Sequence, residues 1–115
     1  MVEKNMGFVE TYYKAMGCKD IVNMERHLHQ SIKLISPFGT TEGKEAVLNA
    51  AKQFLNVFET LTIRAVCGSG NQVMLAIDFK CYAPIGLLRS AVLVTLRDGL
   101  IASTELFHDT KGLSA

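Results

Sequence analysis

Ser36-Pro37-Phe38-Gly39-Thr40-Thr41-Glu42-Gly43-Lys44-Glu45-Ala46-Val47 is the stretch whose reading decides the fold of this chain. Pro37 fixes its own φ and pushes Ser36 into an extended conformation, so the apolar, strand-like segment carrying Ile32 and Leu34 must finish there. Gly39 and Gly43 give the backbone freedom on either side of a short polar turn. Gly43 fits a helix N-cap, and Glu42 and Glu45 place negative charge where a helix dipole favours it. A junction of this kind is expected to hold the Ser36 and Phe38 side chains in fixed directions, as a pocket wall requires.

Downstream, Val47, Ala51, Phe54, Leu55 and Phe58 recur at helical spacing and predict a long amphipathic helix over 44–58. Upstream, Met6, Val9, Tyr12, Tyr13 and Met16 mark a helix over 3–16, which Gly17 ends. Ile21, Met24 and Leu28 predict a shorter helix over 19–28, followed by a strand over 31–36 in which Ile35 breaks the alternation. From residue 60 the pattern becomes β. Strands are expected at 62–66, 72–83, 87–96 and 100–108, with hairpin turns at Gly68-Ser69-Gly70-Asn71 and Arg97-Asp98-Gly99. The prediction is one α+β domain over 1–115, three N-terminal helices packed on a curved antiparallel sheet.

Apolar residues make up 49% of the chain. That is high for a soluble chain this short, and an internal cavity or an oligomer interface is expected to take the excess. A formal charge of +1 with scattered Lys and Arg does not provide the basic face that nucleic acid requires. No apolar run is long enough for a membrane span. Glu3 and Lys4 without a following apolar core predict a cytoplasmic protein. Cys18, Cys67 and Cys81 are odd in number and outside any CxxC, as reduced thiols would be.

Several short strings, in order, resemble the NTF2-like cone fold, and within it the SnoaL-like and ketosteroid-isomerase-like proteins. They are Val9-Glu10-Thr11-Tyr12 followed by Gly17-Cys18-Lys19-Asp20; Ser36-Pro37-Phe38-Gly39; Gly43-Lys44-Glu45-Ala46-Val47; and Arg97-Asp98-Gly99-Leu100-Ile101 with Glu105-Leu106-Phe107-His108-Asp109 downstream. The resemblance covers nearly the whole chain. It implies a cone open at one end to a small molecule, without a cofactor, in a homodimer formed through the sheet. It also implies a pocket drawn from Tyr12, Met16, Ser36, Phe38, Phe54, Phe58, Phe79, Cys81, Leu93 and His108.

In the ketosteroid-isomerase branch the residue before the Pro is an Asp that shuttles a proton between carbons alpha and gamma to a carbonyl. This chain has Ser36 there, and a serine hydroxyl does not take up that proton without a partnering base. The same branch pairs a tyrosine with a protonated acid as an oxyanion hole. Tyr12 matches the tyrosine, but Ala91-Val92-Leu93-Val94-Thr95-Leu96 offers no carboxyl. The expectation is therefore a small-molecule-binding protein with an apolar conical pocket. The alternative is a cofactor-free isomerase, cyclase, dehydratase or hydrolase acting on a cyclic or carbonyl-bearing molecule. In it Tyr12 polarises an oxygen and His108 or Asp109 moves the proton.

Helical phase does not decide between Tyr12 and Tyr13 for the pocket. Strand alternation puts Thr104, Leu106 and His108 on one face of the last strand and Glu105, Phe107 and Asp109 on the other. His27 and His29 form an H-x-H string with no third metal ligand at suitable spacing, so no metal is expected. Asp78 and Lys80 read as a solvated or cross-strand-paired face. Nothing in the sequence brings Arg64, Arg89 and Arg97 together.

Overall fold

The structure, a computed structural model, describes residues 2–108. Helix α1 (Val2–Gly17) and the short α2 (Ile21–Arg26) lead into β1 (Leu28–Ser36) and β2 (Gly39–Glu42). Helix α3 (Lys44–Leu55) follows, and then β3 (Phe58–Ser69), β4 (Gln72–Cys81), β5 (Leu87–Arg97) and β6 (Leu100–His108). The six strands form one curved sheet in the order β2-β1-β6-β5-β4-β3, so the architecture is α+β. No described helix is long and apolar enough to cross a membrane.

Local chemistry explains the element ends. Asp20 caps α2 by accepting from the Asn23 N–H at 3.3 Å. Two residues, Pro37 and Phe38, separate β1 from β2, with Ser36 and Gly39 paired across the turn. Gly43 is the α3 N-cap at φ 95, a conformation that a side chain would strain. At the β5–β6 turn Asp98 (φ 56) and Gly99 (φ 75) are both left-handed, as a type I′ hairpin requires.

Four expectations are corrected. The sheet is mixed, because β1 pairs parallel with β6 while every other pair is antiparallel. The stretch read as a polar turn before the third helix holds a second strand, β2, paired with β1. Helix α2 stops at Arg26, where the His27 Nδ1–H donates to the Asn23 carbonyl at 2.7 Å, and Leu28 is already a buried strand residue. Helix α3 stops at Leu55, and Phe58 opens β3 as the largest of the fully buried side chains.

One face of the sheet carries the core. Val73, Leu75, Ile77, Phe79 and Cys81 of β4 alternate with exposed or half-buried residues, as do Leu88, Ser90, Val92, Val94 and Leu96 of β5. Helix α1 packs over β3 and α3 over β1, closing this face. A register shift between Thr95 and Leu96 on β5 breaks the alternation of β6. As a result Ile101 and Thr104, three apart, are both buried.

Candidate functional site

Helix α1, helix α3 and the ends of β1, β4 and β6 surround a partly open cavity of about 90 Å³. Tyr12, Tyr13 and Met16 reach it from α1, and Val47, Ala50, Ala51 and Phe54 from α3. Leu34, Phe79, Thr104 and Leu106 complete the wall from the sheet. Both tyrosines line it, although they are adjacent in sequence; their rings meet edge to face with centroids 4.9 Å apart. Phe54, Phe58 and Phe79 form a triangle of rings with centroid separations of 4.9 to 5.3 Å. Phe54 and Phe79 face the cavity and Phe58 backs them.

The polar groups of this wall are hydroxyls. Tyr12 and Tyr13 are each 3% exposed, and Thr104 is 4% exposed. None of the three hydroxyls is hydrogen-bonded to a described residue. Burial pushes the Tyr12 phenol well above its ordinary value; burial, and then the neighbouring Tyr12, do the same to Tyr13. Both therefore stay protonated across the neutral range, as donors. Among the described residues no carboxylate, imidazole, ammonium or guanidinium lines the cavity.

Ser36, Phe38 and Leu93 do not line it. The Ser36 hydroxyl belongs to its own turn, donating to the Gly39 carbonyl and accepting from the Phe38 N–H, both at 3.2 Å. Phe38 is 65% exposed at the hairpin tip. Leu93 lies between the buried Val92 and Val94, so it points to the opposite face of the sheet. Cys81 is buried near Phe79, whose carbonyl its thiol meets at 3.8 Å; burial pushes that thiol's pKa up, away from nucleophilic use. Residue 108 pairs in register with Ser90 at the end of β6; its side chain and Asp109 lie outside the described part.

Several charged groups are engaged elsewhere. His29 Nδ1 accepts from the Ser31 N–H, so Nε2 carries the hydrogen that faces Asp98 at 3.3 Å. His27 and His29 thus hold separate partners, and no three His, Cys, Asp or Glu side chains gather among the described residues. Arg64 and Arg89 do converge, on Asp78, with Nε–Oδ separations of 3.6 and 3.9 Å.

Leu34, Val47, Ala50, Ala51, Thr104 and Leu106 are cavity residues outside the set that the sequence singled out, while Tyr12 and Tyr13, between which helical phase does not decide, both line the cavity. Ala50 and Ala51 matter because they are small, and nothing in a sequence marks an alanine that leaves space. Thr104 and Leu106 had a signal, the alternation of β6.

Solved structures with this architecture include an NTF2-like protein of unknown function from Cytophaga hutchinsonii. It is 19% identical, with TM-score 0.83 over 95% of this chain and 93% of that one. A Kribbella flavida protein provisionally assigned as a ketosteroid isomerase is 12% identical, with TM-score 0.83 over 99% and 90% of the two chains. A Jannaschia protein provisionally assigned as a SnoaL-like polyketide cyclase is 15% identical, with TM-score 0.84 over 97% and 90%. At such identities the likeness establishes the fold alone. No curated protein matches the chain by sequence. The SnoaL-like domain model matches residues 9–104, most of the chain, and the protein belongs to that family within the NTF2-like superfamily.

Proposed function

We propose that this protein binds a small, largely apolar molecule in the cavity between α1, α3 and the sheet. The observation that carries the proposal is the set of three hydroxyls on an otherwise apolar wall, none bonded to a described residue. They are not among the enclosed polar atoms left without a partner, so they are reached from the open cavity, where a guest or ordered water can meet them. Tyr12, Met16, Phe54 and Phe79 supply contact, Phe58 and Cys81 support the wall from behind, and the position of the isomerase base is held by Ser36.

Methyl-detected NMR with cyclopentane tests this. Val47, Ala50 and Ala51 are expected to show saturable shifts in the wild type, and the shifts vanish when Ala51→Leu fills the space. Shifts that persist unchanged in Ala51→Leu, or that never saturate, would place the guest elsewhere.

A cofactor-free enzyme is the second reading, favoured by the isomerase and cyclase assignments of the Kribbella and Jannaschia neighbours. In it Tyr12 polarises a carbonyl oxygen, and His108 or Asp109 moves the proton. Its test is turnover of a β,γ-unsaturated ketone that is lost in both Tyr12→Phe and His108→Gln/Asp109→Asn.

We also propose a homodimer through the outer face of the sheet. There Met74, Leu93 and Glu105 lie side by side in register, as do Ala76, Ala91 and Phe107. Met74 is 38% and Phe107 48% exposed in the single chain, apolar area that a second copy would cover.

A further inference from the structure

We propose that Tyr12, Tyr13 and Thr104 make the cavity selective for small, uncharged molecules carrying a hydrogen-bond acceptor, and that it rejects the corresponding carboxylates. The guests are ketones, aldehydes, lactones or carboxamides of about four to six non-hydrogen atoms. The inference rests on the binding reading above and narrows its ligand class.

Size comes first. A cavity of about 150 Å³ takes up benzene, so the about 90 Å³ here encloses about four non-hydrogen atoms, with any remainder in the open mouth. A fused polycyclic skeleton does not fit without displacing the wall.

Charge comes second. A carboxylate entering the cavity loses its hydration, a cost that buried anions recover only from a cation or several strong donors. The wall offers no cation among the described residues. Burial already resists negative charge at this place, since it holds both phenols in their neutral form. A neutral carbonyl pays far less to enter and still accepts a hydrogen bond from a phenol or from the Thr104 hydroxyl.

Polarity comes third. A guest that fills the cavity displaces water from these hydroxyls, a loss that an acceptor makes good and a hydrocarbon does not. Ketone should therefore bind better than the matching hydrocarbon, and the difference should reside in Tyr12, Tyr13 and Thr104. Tyr13 and Thr104 thereby become recognition residues alongside Tyr12, from α1 and β6 respectively.

The experiment titrates four probes against the Val47, Ala50 and Ala51 methyl resonances at neutral pH. They are cyclopentane, cyclopentanone, cyclopropanecarboxamide and cyclopropanecarboxylate. Cyclopentanone is expected to bind about fivefold tighter than cyclopentane, within what one net hydrogen bond supplies. Tyr12→Phe, Tyr13→Phe and Thr104→Val should together erase that advantage, and a cooperative thermal transition shows that the combined variant is folded. The carboxamide should exceed the carboxylate by at least about thirtyfold. Equal binding of carboxamide and carboxylate overturns the inference, as does a ketone no tighter than the hydrocarbon; in both cases cyclopentane binding leaves the apolar pocket standing. No saturable shift from any probe overturns the pocket and the inference together.

Discussion

Lys19 reaches back from the end of α1 to donate a hydrogen bond to the Phe58 carbonyl at 2.7 Å, its ammonium 5.0 Å from the centroid of the Phe58 ring. The residue pays for this position with a left-handed backbone, φ 59. Phe58 is fully buried behind Phe54 and Phe79, so the contact ties the helix that carries Tyr12 and Tyr13 to the strand beneath the aromatic wall. Hydrogen bonds from charged donors are worth about 1.5–3 kcal/mol, and this one is partly solvated. Lys19→Met should lower unfolding stability by about 1–2 kcal/mol in urea denaturation, with an unchanged m-value. A midpoint equal to that of the wild type would mean that the Phe58 carbonyl is satisfied without the lysine.

The buried tyrosines should make stability fall on the alkaline side. Each phenol ionises at a higher pH in the folded chain than in the unfolded one, where the ordinary value of 10.0 applies. Their contribution is fully present below about pH 10 and is lost as pH rises through the raised folded values. Between about pH 10 and those raised values each contributes a decline of about 1.4 kcal/mol per pH unit. The Tyr12→Phe/Tyr13→Phe chain should show a visibly shallower alkaline branch in its unfolding free energy, whatever its stability at pH 7. Parallel branches for the two proteins would show that the phenols ionise without unfolding the chain.

What the sequence made legible was local. The Gly43 start of α3 and the Asp98-Gly99 hairpin depend on residues that touch their own neighbours, and turn chemistry names them. The parallel pairing of β1 with β6 joins Leu34 to Thr104 across most of the chain, and no short-range pattern encodes such a partner. Strand β2 is a four-residue Gly-Thr-Thr-Glu segment whose polarity reads as a turn, and only its pairing with β1 makes it a strand. Phe58 misled for a different reason. It continues the spacing of Phe54 and Leu55, although the helix has already ended and the ring is buried from a strand. At the site, Tyr12, Met16, Phe54 and Phe79 come from stripes that periodicity marks. The open space itself is made by Ala50 and Ala51, and empty volume has no letter.

Self-association should depend on the outer face of the sheet. Phe107, half-exposed, stands in register with the small Ala91 and Ala76. A charge placed there would be desolvated in a sheet-to-sheet contact and costs little on a free surface. Phe107→Glu should shift sedimentation-velocity profiles from dimer toward monomer, with no loss of thermal stability beyond that of dissociation. A wild type that sediments as a monomer at high concentration would remove this interface from the proposal.

Ser36→Asp should restore a carboxylate before Pro37 without restoring isomerase chemistry. The Ser36 side chain is committed to the β1–β2 turn through Gly39 and Phe38 and does not line the cavity. An aspartate keeps the bond from the Phe38 N–H but loses the one to the Gly39 carbonyl, a net cost of about 0.5–1.5 kcal/mol. A general base acts only within hydrogen-bond reach of the proton it removes, directly or through one water. The variant should therefore fold, melt slightly earlier, and convert a β,γ-unsaturated ketone to its conjugated isomer no faster than the wild type. Conversion that rises with the aspartate and falls again in Ser36→Asp/Tyr12→Phe would mean that the hairpin swings its first residue into the cavity. In that event Tyr12 and position 36 would share one guest, and the enzyme reading would take precedence over simple binding.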